Sequence, residues 1–175
     1  MGLSNGPLED LSLHNLADDV ANVIDALGRP AHIVGRALGN RIARCCAADH
    51  PDHVKSLSLI SAGGLVSPIA RTNKQKLQPQ KRVLNHWREA GLAHEHASKS
   101  TPLDEWWSGG NAPMLVVQGL DDHIAVPANG RRLAEAFPSR VRLREIPEIG
   151  HMLLFERPDL VIPVVLAFIR EFEST

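Results

Sequence analysis

Apolar residues fall into two rhythms along the chain. In Leu13–Leu27 they recur at helical spacing: Leu13, Leu16, Ala17, Val20, Val23, Ile24 and Leu27 mark one face. Ser12 stands where an N-cap belongs and Gly28 where a C′ glycine belongs. Elsewhere the runs are short and nearly continuous. Residues 31–34, Val54–Ile60, residues 114–118 and Val141–Ile146 read as strands. The stretches HIVG, LSLI and MLVV fit strands buried on both faces.

Helical patterns lie between the strands. Residues 38–48 form one, burying Ile42, Ala43 and Cys46 and stopping at Pro51. Residues 129–137 form another, and Pro158 opens a last helix to about residue 172, with Pro163 bending it early. Residues 65–111 differ: polar, rich in Lys, Gln and His, broken by Pro68, Pro79 and Pro102. They hold two expected helices, 81–90 and 92–97, and all three tryptophans, Trp87, Trp106 and Trp107. Strands alternating with helices imply parallel pairing through right-handed crossovers. The expected fold is α/β: a parallel sheet of about four strands, helices on both sides, and a short helical insert above the carboxyl ends, where ligands bind in such sheets. The expected division is core 1–64, cap insert 65–111 and core 112–175.

Composition narrows the function classes. The net charge is −1 and acids and bases interleave, so nothing points to nucleic acid or a membrane surface. No basic segment followed by an apolar run opens the chain, and no run approaches membrane-span length. Cys45 and Cys46 are adjacent, a poor geometry for bridging each other, and their expected role is helix packing in a reducing cytoplasm. His94 and His96, two residues apart, would lie on different faces of a helix, so no metal site is expected there.

Polar residues follow three strands, on one edge of a parallel sheet. They are the turn Gly35-Arg36-Ala37-Leu38-Gly39, the segment Gln118-Gly119-Leu120-Asp121-Asp122-His123, and Glu148-Ile149-Gly150-His151. A carboxylate and a histidine at successive strand ends can come within hydrogen-bonding reach.

Together these segments resemble the α/β-hydrolase superfamily, of the serine esterase and lactonase kind. Gly35-Arg36-Ala37-Leu38-Gly39 resembles the family's G-x-S-x-G nucleophile elbow. Pro113 to Asp122 resembles its acid strand, P-x-L-x-x-x-G-x-x-D, continued by Ile124-Ala125-Val126-Pro127. Gly150-His151 with Glu156-Arg157-Pro158 resembles its histidine loop, and the order elbow, acid, histidine also matches. The resemblance covers nearly the whole chain except the middle of the insert. It implies that Asp122 is the triad acid, with Asp121 the alternative, that His151 is the general base, and that the N–H of Leu38 is an oxyanion donor. It puts Ala37 at the nucleophile position. Arg36, Trp106, Trp107 and His123 are candidates for substrate contact; packing is the other reading for the tryptophans, and a solvent-facing turn for His123. No cofactor is expected.

Two departures follow. Ala37 has no oxygen to attack a carbonyl. The family also places several strands ahead of the helix that starts at Leu13, and residues 1–7 resemble the end of its glycine-rich loop. The expectation is a chain lacking those strands, with strand 31–34 a bare apolar edge through which copies self-associate. Three functions compete: a hydrolase of small-molecule esters or lactones impaired at residue 37, a non-catalytic protein that binds a small molecule or partner, and serine-independent general-base chemistry by His151.

Overall fold

The structure, a computed structural model, describes Leu8 and residues 10–69 and 85–173, the side chains of 85–88 excepted. Its strands are β1 (Ala31–Arg36), β2 (Val54–Ile60), β3 (Met114–Gly119) and β4 (Val141–Ile146). Its helices are α1 (Leu13–Leu27), α2 (Leu38–Asp49), α3 (Asn85–Ser100), α4 (Leu103–Trp106), α5 (Ala128–Ala136), α6 (Leu153–Glu156) and α7 (Pro158–Arg170). The four strands pair in parallel, in the order β1-β2-β3-β4. The α/β architecture expected from the pattern is the one observed.

Alternate side chains of each strand go to opposite faces. Leu57 and Leu59 of β2 and Met114 and Val116 of β3 pack with Leu13 and Ala17 of α1, Ala43 and Cys46 of α2 and Leu133 of α5. The intervening Ile60, Leu115 and Val117 pack with Val161, Val165 and Phe168 of α7. With both faces covered, β2 and β3 need apolar residues at nearly every position, hence their continuous runs. Each such side chain contributes about 1.5–3 kcal/mol on burial.

The HIVG run fits a strand buried on both faces, yet Val34 is 50% exposed. Among the described residues β1 pairs with β2 alone, so it forms an edge of the sheet. The strand also runs two residues further than expected, through Gly35 and Arg36.

α1 is capped as anticipated. The Ser12 hydroxyl accepts from the Asn15 N–H, and the Asn15 side chain accepts in turn from the Ser12 N–H at 2.9 Å. Its buried stripe is narrower than the pattern implied. Leu13, Ala17, Ala21 and Ile24 are buried, whereas Val23 and Leu27 are largely exposed. Ala17 and Ala21, one turn apart, present small side chains on the face of α1 that packs into the core with α2.

The insert also differs from expectation. One helix, α3, replaces the break expected near Gly91, because a glycine costs a helix only about 1 kcal/mol. Residues 81–84 and the Trp87 side chain lie outside the described part. A short α6 precedes Pro158, and α7 continues through Pro163, which lies early enough to remove only one internal bond. Among the described residues, no helix is long and apolar enough to cross a membrane.

Candidate active site at the carboxyl edge of the sheet

Register aligns the strand ends. Arg36 pairs with Ile60, Ile60 with Val117, and Gly119 with Ile146. The turns that follow, at Ala37, Ser61, residues 120–123 and residues 147–151, therefore share one edge.

The first turn is a strained elbow. Ala37 adopts φ 50° and ψ −116°, a conformation that favours glycine. Gly35 makes room for it: a Cβ there would lie 2.6 Å from the Gly39 carbonyl oxygen and 2.8 Å from Asn40 Cα. Ala37 is also held from both sides. Its N–H donates to the Ile60 carbonyl, and its own carbonyl accepts from the Asn40 N–H and side-chain amide. Leu38 opens α2, so its N–H is among those with no acceptor inside the helix. That end of the helix carries positive potential.

The acid turn and the histidine loop meet at Gly119, where a Cβ would fall 2.4 Å from the Ile149 carbonyl oxygen. The Asp121 N–H donates to that carbonyl at 3.0 Å. This close approach brings His151 Nδ1 to 2.9 Å from Asp122 Oδ2 and 3.1 Å from Oδ1. The Asp122 side chain is wholly buried, and His151 retains 18% exposure. Asp121, the alternative acid, is exposed.

Asp122 accepts further bonds from the N–H groups of Ile124 (2.9 Å) and Ala125 (2.8 Å) and from the Gln118 amide (3.3 Å). Burial pushes its carboxyl up. The bond with His151 and the two N–H donors outweigh that, and hold it below the usual carboxylate range. An ionised Asp122 favours the tautomer with hydrogen on Nδ1, which leaves Nε2 as the basic nitrogen.

Ala37, Leu38 and His151 line one cavity of about 430 Å³. Its wall also includes Arg41, Ser61, Gly63, Val66, Ile124 and, from α3, Gly91, Glu95 and Ser98. The other expected contact residues lie elsewhere. Trp106 is buried in the core beneath, stacked on Arg44, and Trp107 packs against Phe137. Neither tryptophan lines the cavity, although Trp106 also lies under Arg41, which does. Arg36 reaches across to the histidine loop, donating to the His151 carbonyl at 3.0 Å and lying over the Phe155 ring. His123 is exposed, and its carbonyl accepts from the Ile69 N–H.

Several supporting residues carried no signal in the sequence. Ser61, buried with φ 55°, donates to the His151 carbonyl beside Arg36. Gln118 also accepts from the Ala62 N–H and so ties the end of β2 to the acid turn. Arg44 is 1% exposed, and its guanidinium donates to the Asn40 side chain and to the carbonyls of Asn40, Gly63 and Trp107. Burial, with Arg41 beside it, pushes Arg44 down to about 9. Each of these depends on partners far away along the chain.

One cluster has metal-ligand chemistry. His14, Cys45 and Asp49 bring candidate ligand atoms within 4.8 Å of one another. It is occupied by its own hydrogen bonds: His14 bridges Asp49 at 2.7 Å and Glu105 at 2.8 Å. Burial, then Asp49, pushes the Cys45 thiol up, and burial pushes that of Cys46 up to about 11. Both thiols are free and packed in the core, as the sequence implied.

A parallel sheet with a strained strand-to-helix turn, and a carboxylate–histidine pair on the next strand ends, defines an α/β protein of the nucleophile-elbow type. The chain belongs to the alpha/beta hydrolase fold family, whose model matches residues 70–158, just over half of its length. Monoacylglycerol lipase abhd6-B of Xenopus laevis is 34% identical over 71 residues, covering 39% of this chain and 21% of the lipase. The dihydrolipoyllysine-residue acetyltransferase component of the acetoin cleaving system of Pseudomonas putida is 28% identical, covering 97% of this chain and 54% of that protein. The chain thus spans about a fifth to about half of the length of these curated relatives. The crystal structure of MGS-M2, an alpha/beta hydrolase enzyme from a Medee basin deep-sea metagenome library, superimposes with a TM-score of 0.75 at 19% identity. It covers 97% of this chain and 76% of the other.

Proposed function

We propose that the cavity is the acyl site of a small-molecule ester or lactone hydrolase whose nucleophile position is occupied by Ala37. Asp122 holds the His151 tautomer and stabilises the imidazolium, Nε2 is the general base, and the Leu38 N–H is an oxyanion donor. The observation that carries this reading is the meeting of a wholly buried Asp122 with His151 at 2.9 Å, on the wall of a cavity shared with the strained Ala37. A lipase among the relatives agrees with ester chemistry.

Ala37 has a methyl group where acyl transfer needs oxygen, so no covalent ester intermediate forms at this position. Loss of the nucleophile leaves about 10³–10⁴-fold catalysis over water from binding and oxyanion contacts. Ala37→Ser, assayed on p-nitrophenyl acetate and probed with a fluorophosphonate, tests the reading. Turnover and labelling in the serine variant, both absent after His151→Ala, are expected. A folded serine variant that neither turns over nor labels overturns it.

A second reading is ligand binding or base catalysis without a serine. It draws on the same intact Asp122–His151 pair beside a methyl group. Turnover of an ester by the Ala37 protein that His151→Ala abolishes favours base catalysis; binding without turnover favours the non-catalytic form.

A further inference from the structure

The cavity wall carries a guanidinium, that of Arg41, which forms no ion pair among the described residues. Arg41 follows the elbow by four residues and projects from the first turns of α2 into the cavity. Its protein partners are neutral: the carbonyl and hydroxyl of Ser98, and the Trp106 ring at 5.4 Å. Among the described residues it joins no ion pair. Behind it the buried Arg44 is likewise bonded only to neutral oxygens. A half-buried guanidinium beside the fully buried Arg44, with no anion paired to either among the described residues, is costly, and burial holds Arg41 below its ordinary range.

The nearby acids are committed. Glu95, on the same wall, pairs with Lys99 at 2.6 Å, and Asp122 is engaged by His151 and two N–H groups. Residues 70–84 hold five Lys or Arg and no Asp or Glu, so that stretch has no carboxylate to offer.

We propose that the cavity binds a small molecule bearing a carboxylate, seated on the Arg41 guanidinium beside Ala37 and His151. A planar guanidinium pairs with a carboxylate through two parallel N–H bonds and gains most where water is excluded. The inference rests on the cavity being the ligand site, and it narrows the substrate class to acidic esters or lactones.

Isothermal titration of the protein with p-nitrobenzoate and its neutral isostere p-nitrobenzamide tests it. The benzoate is expected to bind about tenfold tighter or better. Arg41→Gln abolishes that preference, and Arg41→Lys, which keeps the charge, retains part of it. Equal affinities, a preference unchanged by Arg41→Gln, or no binding of either probe overturns the inference. The hydrolase reading fails separately. A silent Ala37→Ser variant with an intact carboxylate preference sinks only the chemistry; turnover of p-nitrophenyl acetate without any carboxylate preference sinks only the acidic substrate.

Discussion

His151 and Asp122 lie 29 residues apart in the chain and 2.9 Å apart in the fold. The carboxylate is fully buried and holds two backbone N–H bonds of its own, so it is fixed before it meets the imidazole. Asp122→Asn, made in the Ala37→Ser background, is expected to lower kcat by about four orders of magnitude while leaving the fold intact. An amide in place of the carboxylate favours the wrong tautomer. Steady-state kinetics with a circular dichroism control measure the effect; a loss below about tenfold would remove Asp122 from its assigned role.

The elbow carries strain that its residue does not use. Ala37 has φ 50° and ψ −116°, a conformation that an alanine adopts at a cost and a glycine does not. Ala37→Gly is therefore expected to raise stability by about 1 kcal/mol in urea or thermal unfolding, despite the added freedom of its unfolded chain. A lowered midpoint would mean that the turn is unstrained.

The two glycines flanking the elbow differ. A Cβ at Gly35 meets the backbone of Gly39 and Asn40 below 3 Å, whereas one at Gly39 meets nothing within 4 Å. Gly35→Ala is expected to cost about 2 kcal/mol or more, since backbone must move, and Gly39→Ala to be neutral or stabilising by up to about 1 kcal/mol. Parallel thermal melts separate them, and equal effects would contradict the geometry.

Part of the stability should be lost as pH rises above the ordinary histidine range. His14 bonds to Asp49 and Glu105, which raise its pKa above the ordinary 6.5 in the folded state. A raised folded value makes the contribution complete below the unfolded pKa and lost as pH rises through the folded one. The melting temperature is expected to drop as pH rises above 6.5 and through the raised folded value, and His14→Gln to flatten that slope. At low pH Asp122 acts with opposite sign. Its depressed pKa gives a contribution complete above the unfolded value and lost as pH falls through the folded one.

Among the described residues β1 pairs with β2 alone, and Val34 at that sheet edge is half-exposed. Such an edge templates pairing with another copy. Light scattering of the purified chain is expected to show association, and Val34→Lys to shift it toward monomer. A monodisperse monomer at all concentrations would refute edge pairing.

Much of this molecule was legible in the sequence because it is written in local pattern. The period of the apolar residues placed β2, β3, β4 and the bounds of α1, and Ser12 and Gly28 marked where α1 starts and stops. The order of elbow, acid and histidine segments placed Ala37, Asp122 and His151 on one edge. A parallel sheet puts every strand's carboxyl end on the same side, so this needed no knowledge of packing.

Tertiary structure alone decided the rest, because burial and charge balance depend on partners remote in sequence. It sent Trp106 to the core and packed Trp107 against it, turned Val23, Leu27 and Val34 outward, and made Arg36 a brace for the histidine loop. It also left Arg41 facing the cavity and, among the described residues, in no ion pair. No period or motif announces an unpaired charge. Whether a charge is paired is decided only when the neighbours contributed by distant segments are in place.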